Sequence, residues 1–368
     1  MADRPRTSTR DLTDLIQHLA AWLARQLRSD EEPRIERLRG PGAAGFSSET
    51  LLFDLAWTAG GEQLEGSYVL RLPPPEDAYP LFPTYQLDRQ VSAMRFVRDH
   101  SNVPVPAILW FEPSGDVLGA PFFVMEQIDG LVVPDIPPYV FDSWVTAANA
   151  HEQARMGGGA TGLLVGIHGI DADAGALAPW ALDAPGATPL ARHVANQRRY
   201  YDWLRGDRTF ATIDATFAWL SERWPVNEGR AVLSWGDSRL ANVLWRDFEP
   251  VAVLDWEAVA VGPRELDLAW LVFFHEYYQR IAVRYGYKGV PELLKRDQVL
   301  NDYAEQSKHE PRDVEWYLVY AELRQALTSI RVSSRAVHFG ERDAPDDPQD
   351  LIIDRDHLEA VIAGRIPI

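Results

Sequence analysis

The chain has 368 residues, 46% hydrophobic and 24% charged, which is enough apolar content for a folded core and enough length for about two domains. Its 36 basic and 54 acidic residues give a formal net charge of -18, which disfavours a nucleic acid partner because a phosphate backbone would be repelled. Cysteine is absent, which excludes disulfides, thiolate catalysis and cysteine-bound zinc, and is typical of a reducing compartment.

The N-terminal segment, residues 1–33, predicts an amphipathic helix. Leu12, Leu15, Leu19 and Leu23 recur at helical spacing. The polar face mixes acidic and basic residues, which favours packing on a domain over attachment to a membrane surface. The polar start of the sequence does not resemble a secretory signal, and no apolar run approaches the length of a membrane span. The cytoplasm is therefore the expected location.

Residues 34–130 predict a small antiparallel lobe. A helix is expected from about Leu87. Five strands are expected, at 34–39, 49–57, 67–72, 107–111 and 121–127. The first two flank the turn-rich stretch G-P-G-A-A-G-F-S-S-E-T, which predicts a hairpin with a glycine-rich tip. The order β-β-β-α-β-β indicates a sheet with one helix.

Residues 131–368 predict a larger, mainly helical lobe. Helical patterns dominate around 140–170, 190–223, 265–285 and 313–335. The G-G-G-A stretch at 157–160 is expected to be a flexible turn between helices, because no strand leads into it as a phosphate loop would require. The whole chain thus predicts an α+β fold in two lobes.

One compact island, A-V-L-S-W-G-D-S-R-L-A-N-V-L-W-R-D-F-E-P-V-A-V-L-D-W-E, interrupts the helical half with short strands. Asp237 begins a loop after the first strand, and Asn242 ends it five residues later. A hairpin then returns Asp255 to the same end as Asn242. Phosphoryl transfer to a hydroxyl requires a carboxylate to accept the proton and oxygen ligands for magnesium. The island supplies these groups, although a surface hairpin with solvated carboxylates is the structural alternative.

W-G-D-S-R-L-A-N followed by V-L-D-W-E resembles the catalytic and metal-binding segments of the aminoglycoside phosphotransferase and choline kinase family, which shares the protein kinase architecture. The family pattern is H-G-D-x-x-x-x-N with an Asp thirteen residues beyond the Asn, and both spacings are present. The resemblance implies that Asp237 is the catalytic base and that Asn242 and Asp255 hold magnesium. Asp267 matches a further family position that is more often structural, and Trp235 stands where the family usually has His.

The resemblance also implies nucleotide-binding residues in the small lobe. The segment G-F-S-S-E-T lies where the family has its nucleotide loop, so Gly45, Ser47 and Ser48 are expected to contact phosphate oxygens. Arg71 lies on the third strand, where kinase-like folds place a lysine, and arginine can bind phosphate in a bidentate manner. ATP is therefore the expected phosphate donor.

Three further segments extend the resemblance. F-F-V-M-E-Q-I-D-G is similar to the segment in which backbone groups, here of Glu126 and Ile128, bond the adenine edge. Gln90 stands where the family has a Glu that pairs with the third strand, and His168 is expected to be structural. Within the family, the chain is most similar to the kinase-like domain also found joined to some acyl-CoA dehydrogenases.

These features predict an ATP- and magnesium-dependent phosphotransferase that acts on a hydroxyl of a small molecule, with an aminoglycoside-like, amino alcohol or hydroxyacyl acceptor. A protein kinase is disfavoured, because Gly262-Pro263 and a helix follow Asp255 too closely for an activation segment. The alternative from another class is a nucleotide-binding pseudokinase with a sensing or scaffolding role, which Gln90 and Trp235 would favour. Neither a nucleic acid nor a membrane partner is expected.

Overall fold

The structure is a computed structural model, and it describes residues 10–40 and 47–368. The described part contains ten α-helices, in chain order α1 (Leu12–Leu27), α2 (Leu87–His100), α3 (Ala150–His168), α4 (Ala174–Leu177), α5 (Pro189–Arg205), α6 (Ala211–Glu222), α7 (Glu265–Arg284), α8 (Arg296–Ser307), α9 (Val314–His338) and α10 (Arg355–Ile362). It contains ten strands, in chain order β1 (Arg34–Arg39), β2 (Glu49–Ala59), β3 (Glu62–Leu72), β4 (Ile108–Glu112), β5 (Phe122–Glu126), β6 (Leu131–Val132), β7 (Ala231–Ser234), β8 (Val243–Arg246), β9 (Glu249–Val253) and β10 (Ala260–Pro263).

The first compact unit comprises the described residues up to Pro137 together with Val243–Glu257. Five strands form an antiparallel sheet in the order β1-β2-β3-β5-β4, and β6, β8 and β9 form a second, three-stranded sheet. Helix α1 buries its apolar side in the core of this unit, where Trp22 meets Phe122 edge-on at 4.8 Å between ring centroids. Fully burying one such side chain contributes about 1.5–3 kcal/mol.

The five predicted strands and the helix after the third are confirmed, but β3 begins five residues earlier than the sequence pattern predicts. Residues 62–66 are mostly exposed and polar, so they carry no alternation of apolar side chains. The turn explains the difference. Gly60 and Gly61 both have positive φ, 60° and 79°, which permits a two-residue hairpin turn and continues the ladder from Ala59 to Glu62.

The second unit comprises Pro138–Asn242 and Ala258–Ile368 and is mainly helical. Helix α7 packs on α9, α3 packs on α8, and the short strands β7 and β10 pair antiparallel, with Ser234 opposite Ala260. The predicted helical regions are confirmed in α3, α5, α6, α7 and α9. Helix α3 begins only at Ala150, because Asn149 and Glu152 form a capping box that sets its start.

The prediction of a flexible turn at 157–160 is wrong, because these residues lie inside α3. Glycine disfavours a helix interior by about 1 kcal/mol, so the helix needs a local reason to contain it. A Cβ at Gly157 would lie 2.4 Å from the backbone oxygen of Leu293. The glycine therefore permits close approach of another segment to the helix, a tertiary contact that the local sequence does not reveal.

The α+β, kinase-like fold in two parts is confirmed. Across residues 10–40 and 47–368, none of the helices combines the length and the apolar character that crossing a bilayer requires.

Candidate active site

The 235–239 loop follows β7 in the second unit. A short 3-10 helix, Leu240–Asn242, ends it. Gly236 has a φ of 87°, and a Cβ there would lie 2.1 Å from the backbone oxygen of Ala258. Glycine is therefore required both for the backbone conformation and for the close approach, and it turns the chain so that Asp237 begins a new direction.

Four hydrogen bonds hold the carboxylate of Asp237. Arg239 donates from Nε to Oδ1 at 2.8 Å and from its terminal nitrogen to Oδ2 at 3.1 Å. Asn242 donates from Nδ2 to Oδ2 at 2.7 Å, and Trp270 donates from its indole nitrogen to Oδ1 at 2.6 Å. Donors from three different residues therefore fix this carboxylate in one orientation.

The same contacts determine the charge of Asp237. Burial alone would raise the pKa of this carboxyl, but the positive charge of Arg239 and the hydrogen bonds from Arg239, Trp270 and Asn242 outweigh it and hold the pKa below its ordinary value. Asp237 is therefore ionised at neutral pH and able to accept a proton.

Asp267, at the start of α7, braces the 235–239 loop. Its side chain is fully buried and accepts hydrogen bonds from the Ser234 hydroxyl at 2.9 Å and from the backbone N–H groups of Trp235 and Gly236, both at 2.8 Å. His168 lies 3.0 Å from the same carboxylate through Nε2. Burial would raise the pKa of Asp267, but the hydrogen bond and charge interaction with His168 and the hydrogen bonds from Gly236 and Ser234 together lower it.

The brace does not depend on the side chain at position 235. Asp267 binds the backbone of Trp235, so a tryptophan there keeps the contact that positions the loop. His168 is held at both ring nitrogens, since Nδ1 lies 2.8 Å from the Tyr303 hydroxyl while Nε2 faces Asp267. His168 therefore lies between Tyr303 and Asp267 and supports the Asp267 carboxylate in the second unit.

In the first unit, Arg71 joins two acidic side chains that follow β9. Its terminal nitrogen lies 2.8 Å from Asp255 Oδ1 and 3.9 Å from Glu257 Oε2, and each of the three side chains is only about a tenth exposed. Ser48 donates its hydroxyl hydrogen to Glu257 Oε2 at 3.2 Å. The segment before β2, the strand β3 and the segment after β9 therefore meet in one polar cluster, made of Ser48, Arg71, Asp255 and Glu257.

The electrostatics of this cluster suit a phosphate and a cation. Burial acts to lower the pKa of Arg71, but the negative charges of Asp255 and Glu257 outweigh it and raise the pKa. Among the described residues, the buried Nε of Arg71 has no hydrogen-bond acceptor, so one guanidinium donor is available for an anionic ligand. Asp255 has a φ of 58°, an uncommon backbone conformation for a non-glycine residue and one that often marks functional positions.

The segment predicted to contact adenine lies at the end of β5. The backbone N–H of Glu126 donates to the Ala107 carbonyl at 3.0 Å, and its carboxylate accepts from the Ala107 N–H at 2.6 Å. Gln127 donates its backbone N–H to Ser67 at 3.3 Å. In the part of the chain that the structure describes, the next N–H, that of Ile128, has no acceptor. The segment thus leaves a backbone donor available just beyond the strand.

The structure brings most predicted site residues into two clusters, one in each unit. Asp237 and Asn242 lie together in the second unit, and Ser48, Arg71 and Asp255 lie together in the first. Ser47 is buried next to Ser48, whereas Gly45 lies outside the described residues.

Two contacts were missed from the sequence. Glu257, two residues after Asp255, links Ser48 and Arg71. Trp270, which the sequence did not single out, bonds Asp237. Its position three residues after Asp267 was the available signal, since such residues share a helix face.

The fold is that of kinase-like phosphotransferases. A family model described as "Phosphotransferase enzyme family" matches residues 43–296, more than half of the sequence. The chain belongs to this family.

Curated relatives combine such a region with much additional sequence. Acyl-CoA dehydrogenase family member 11 of Homo sapiens is 24% identical over 211 residues, which cover 57% of this chain and 25% of the relative. Probable acyl-CoA dehydrogenase IBR3 of Arabidopsis thaliana is 24% identical over 318 residues, covering 79% and 35%. The chain thus spans between a quarter and about a third of the length of these relatives.

Solved structures share the fold. A candidate aminoglycoside phosphotransferase from Ralstonia eutropha has a TM-score of 0.64 at 16% identity, covering 96% of this chain and 99% of its own. Aminoglycoside 2'-phosphotransferase-IIIa in complex with GDP has a TM-score of 0.55 at 12% identity, covering 95% and 99%. Macrolide 2'-phosphotransferase from Brachybacterium faecium has a TM-score of 0.51 at 18% identity, covering 94% and 96%.

Proposed function

We propose that this protein transfers the γ-phosphoryl group of ATP, with magnesium, to a hydroxyl of a small molecule. The proposed acceptor is an aminoglycoside-like, amino alcohol or hydroxyacyl compound. The observation that carries the proposal is the state of Asp237, an ionised carboxylate fixed by four hydrogen bonds in a loop with the family pattern. The structural alternative, a solvated carboxylate on a surface hairpin, does not fit a side chain that is only 16% exposed and held by three other side chains.

In this proposal, Asp237 is the catalytic base. It orients the acceptor hydroxyl and accepts its proton as the oxygen forms a bond to the γ-phosphorus and the bond between that phosphorus and the bridging oxygen of ADP breaks. Arg239 stays paired with the carboxylate and holds it in place. The lowered pKa makes Asp237 a weak base, so it orients the hydroxyl and accepts the proton only as the bond to phosphorus forms.

The nucleotide is assigned to the first unit. Arg71, with its available Nε, and the hydroxyls of Ser47 and Ser48 would contact phosphate oxygens, as would the backbone of Gly45. At the end of β5, the Glu126 carbonyl and the Ile128 N–H would bond the adenine edge. The Glu126 N–H already bonds Ala107, which is consistent with the carbonyl being the group that adenine uses.

Magnesium is assigned to Asn242 and Asp255, and the residues fit the ion. Both side-chain hydrogen bonds of Asn242 use Nδ2, which leaves the amide oxygen as its ligand atom. Asp255 offers a carboxylate, and oxygen is the donor that magnesium prefers. That the two bind one ion rests on their spacing in the sequence. Bound magnesium would neutralise charge on the phosphates.

Replacement of Arg71 tests the nucleotide assignment. Arg71→Ala should weaken ATP binding by about 1.5–3 kcal/mol, because it removes a charge-assisted contact to phosphate, and Arg71→Lys should restore part of the affinity. Calorimetric titration with magnesium and ATP measures the effect. Arg37→Ala is the control, since Arg37 pairs with Asp54 in the same sheet. Unchanged affinity in Arg71→Ala would show that the guanidinium does not contact the nucleotide.

Replacement of Asp255 tests the magnesium assignment. Asp255→Asn removes one negative charge from the proposed ligand set, so a higher magnesium concentration should be required for both ATP binding and turnover. Titrations of magnesium at fixed ATP measure this shift. A magnesium dependence equal to that of the wild type would remove Asp255 from the metal site.

A phosphorylation screen tests the function as a whole. Purified protein with magnesium and radiolabelled ATP is offered aminoglycosides, amino alcohols, sugars and hydroxyacyl compounds, and labelled products are separated. If compounds of one class are phosphorylated, that class contains the acceptor. Tight binding of magnesium and ATP without any product across the screen would instead favour the pseudokinase.

A further inference from the structure

The hydrogen bond from Trp270 to Asp237 differs in origin from the others. Arg239 and Asn242 lie two and five residues after Asp237, so they belong to the same loop and its short 3-10 helix. Trp270 lies on α7, a helix of 20 residues, and its indole N–H reaches Asp237 Oδ1 at 2.6 Å. It is the donor that ties the carboxylate to an element outside the loop.

The first turns of α7 hold the loop at two points. Asp267 accepts the backbone N–H groups of Trp235 and Gly236, and Trp270 donates to the side chain of Asp237. Residues three apart lie on one face of a helix, so both contacts come from the same side of α7. The helix thereby fixes the loop backbone and the direction of the carboxylate together.

A second helix holds the indole. The guanidinium of Arg324, on α9, lies 3.9 Å above the centroid of the Trp270 ring and donates a hydrogen bond to the Gly236 carbonyl at 2.8 Å. In the described part of the chain, Arg324 has no carboxylate partner. A cation over an indole is attracted to the π face of the ring, so Arg324 helps to fix the plane of the indole.

We infer that Trp270 is a positioning residue for the catalytic base, and that Arg324 holds the indole in place from α9. This inference rests on the proposed function, because it assigns Trp270 a purpose through Asp237. Without the indole, Oδ1 keeps only the bond from Arg239, a partner on the same loop. The carboxylate and Arg239 can then turn together, and fewer encounters have the base aligned with the acceptor hydroxyl.

The hydrogen bond from Trp270 to Asp237 is tested in the absence of any phosphate acceptor, by the NMR signal of the indole N–H. The chain has 13 tryptophans, so the loss of one signal in Trp270→Phe assigns it. A short bond to a carboxylate should place this proton downfield and protect it from exchange with water. In Asp237→Ala the signal should move upfield and exchange faster. A Trp270 signal that is unaffected by Asp237→Ala would overturn the inference.

The effect on turnover is tested by a double-mutant cycle between Trp270 and Asp237. Turnover is measured as ATP hydrolysis with magnesium, with water as acceptor, and with an acceptor from the screen. Trp270→Phe should lower kcat by about 10- to 100-fold, as expected for losing a hydrogen bond to a charged group, with KM for ATP unchanged. In the Asp237→Ala background it should change the residual rate by less than about twofold.

Two further variants make the outcome decisive. Trp219→Phe is the matched control, because Trp219 also lies under an arginine, Arg223, at 4.8 Å, and should retain wild-type kcat. Arg324→Gln keeps Trp270 but removes the stacked cation, so it should lower kcat by a smaller factor. Wild-type kcat in Trp270→Phe, or an equal loss with and without Asp237, overturns the inference. If Trp270→Phe does not fold, unchanged kcat in Arg324→Gln overturns the part assigned to Arg324, and the signal in Asp237→Ala decides the rest.

The two proposals fail in distinguishable ways. If Asp237→Ala retained full phosphotransfer, Asp237 would not be the base and the proposed function would fall. If Asp237→Ala lost turnover while Trp270→Phe did not, only the role of Trp270 would fall.

Discussion

Replacing Asp237 with asparagine is expected to lower turnover with the true acceptor by about 10²- to 10⁴-fold, the usual range for losing acid-base assistance. The amide is almost the same size as the carboxylate but cannot accept the proton. Nucleotide affinity should stay near that of the wild type, because the residues assigned to ATP are Arg71, Ser47 and Ser48. Steady-state kinetics and calorimetry on the same protein separate the two effects.

The structure adds one requirement to this experiment. The Asn242 amide and the Arg239 guanidinium both donate to Oδ2 of Asp237, so an amide nitrogen at that position would face two donors. Nucleotide titration therefore has to show that the site is intact. Asp214→Asn is the control, since Asp214 also pairs with an arginine, Arg198, but lies on α6. Full phosphotransfer by Asp237→Asn would rule out Asp237 as the base.

The fold could be predicted from the sequence because its elements are locally encoded. Strands β1, β2, β4 and β5 carry clear alternation or apolar runs, and the long helices carry helical periodicity. The errors occur where a tertiary contact decides. The glycines at 157–160 predict a turn, but close approach of the Leu293 backbone to α3 requires glycine inside a helix. The start of β3 has no apolar pattern, since both faces are mostly exposed.

The candidate site was predictable to the extent that it lies in one continuous motif. Asp237 and Asn242 are five residues apart, and the structure places their side chains in contact. The contacts across long sequence separations were not predictable in the same way. Arg71 was expected to bind phosphate, but its pairing with Asp255, 184 residues away, depends on how three segments of the first unit meet. A single sequence carries no signal for such a pair.

The importance of Asp267 was also only partly predictable. Its family position is evident in the sequence, but its importance for stability comes from burial, which the sequence does not show. Its carboxylate has 0% exposure and bonds Ser234, Trp235, Gly236 and His168. Removing it leaves these donors buried without an acceptor. Breaking a buried charged network by removing one partner costs about 3–5 kcal/mol.

Asp267→Ala is therefore expected to lower the thermal midpoint by about 6 to 20 °C, given about 2–4 °C per kcal/mol for a unit of this size. Calorimetry or circular dichroism measures the shift. Asp354→Asn is the control: Asp354 is also largely buried and pairs with Arg280 and Arg284, but it does not contact the 235–239 loop, so turnover should persist. A thermal midpoint of Asp267→Ala within about 2 °C of the wild type would show that Asp267 does not stabilise the fold by bracing the loop.

The pH dependence of stability gives an independent measure of the same brace. The folded-state pKa of Asp267 lies below its ordinary value of 3.8, so the charged carboxylate contributes stability above that pH and loses it as the pH falls through the folded pKa. Wild-type protein should therefore lose stability more steeply below about pH 4 than Asp267→Ala does. Urea titrations at pH 3, 4 and 7 compare the two. Parallel curves for wild type and variant would mean that the Asp267 carboxylate does not carry this part of the stability, and that the loop is held by its backbone geometry alone.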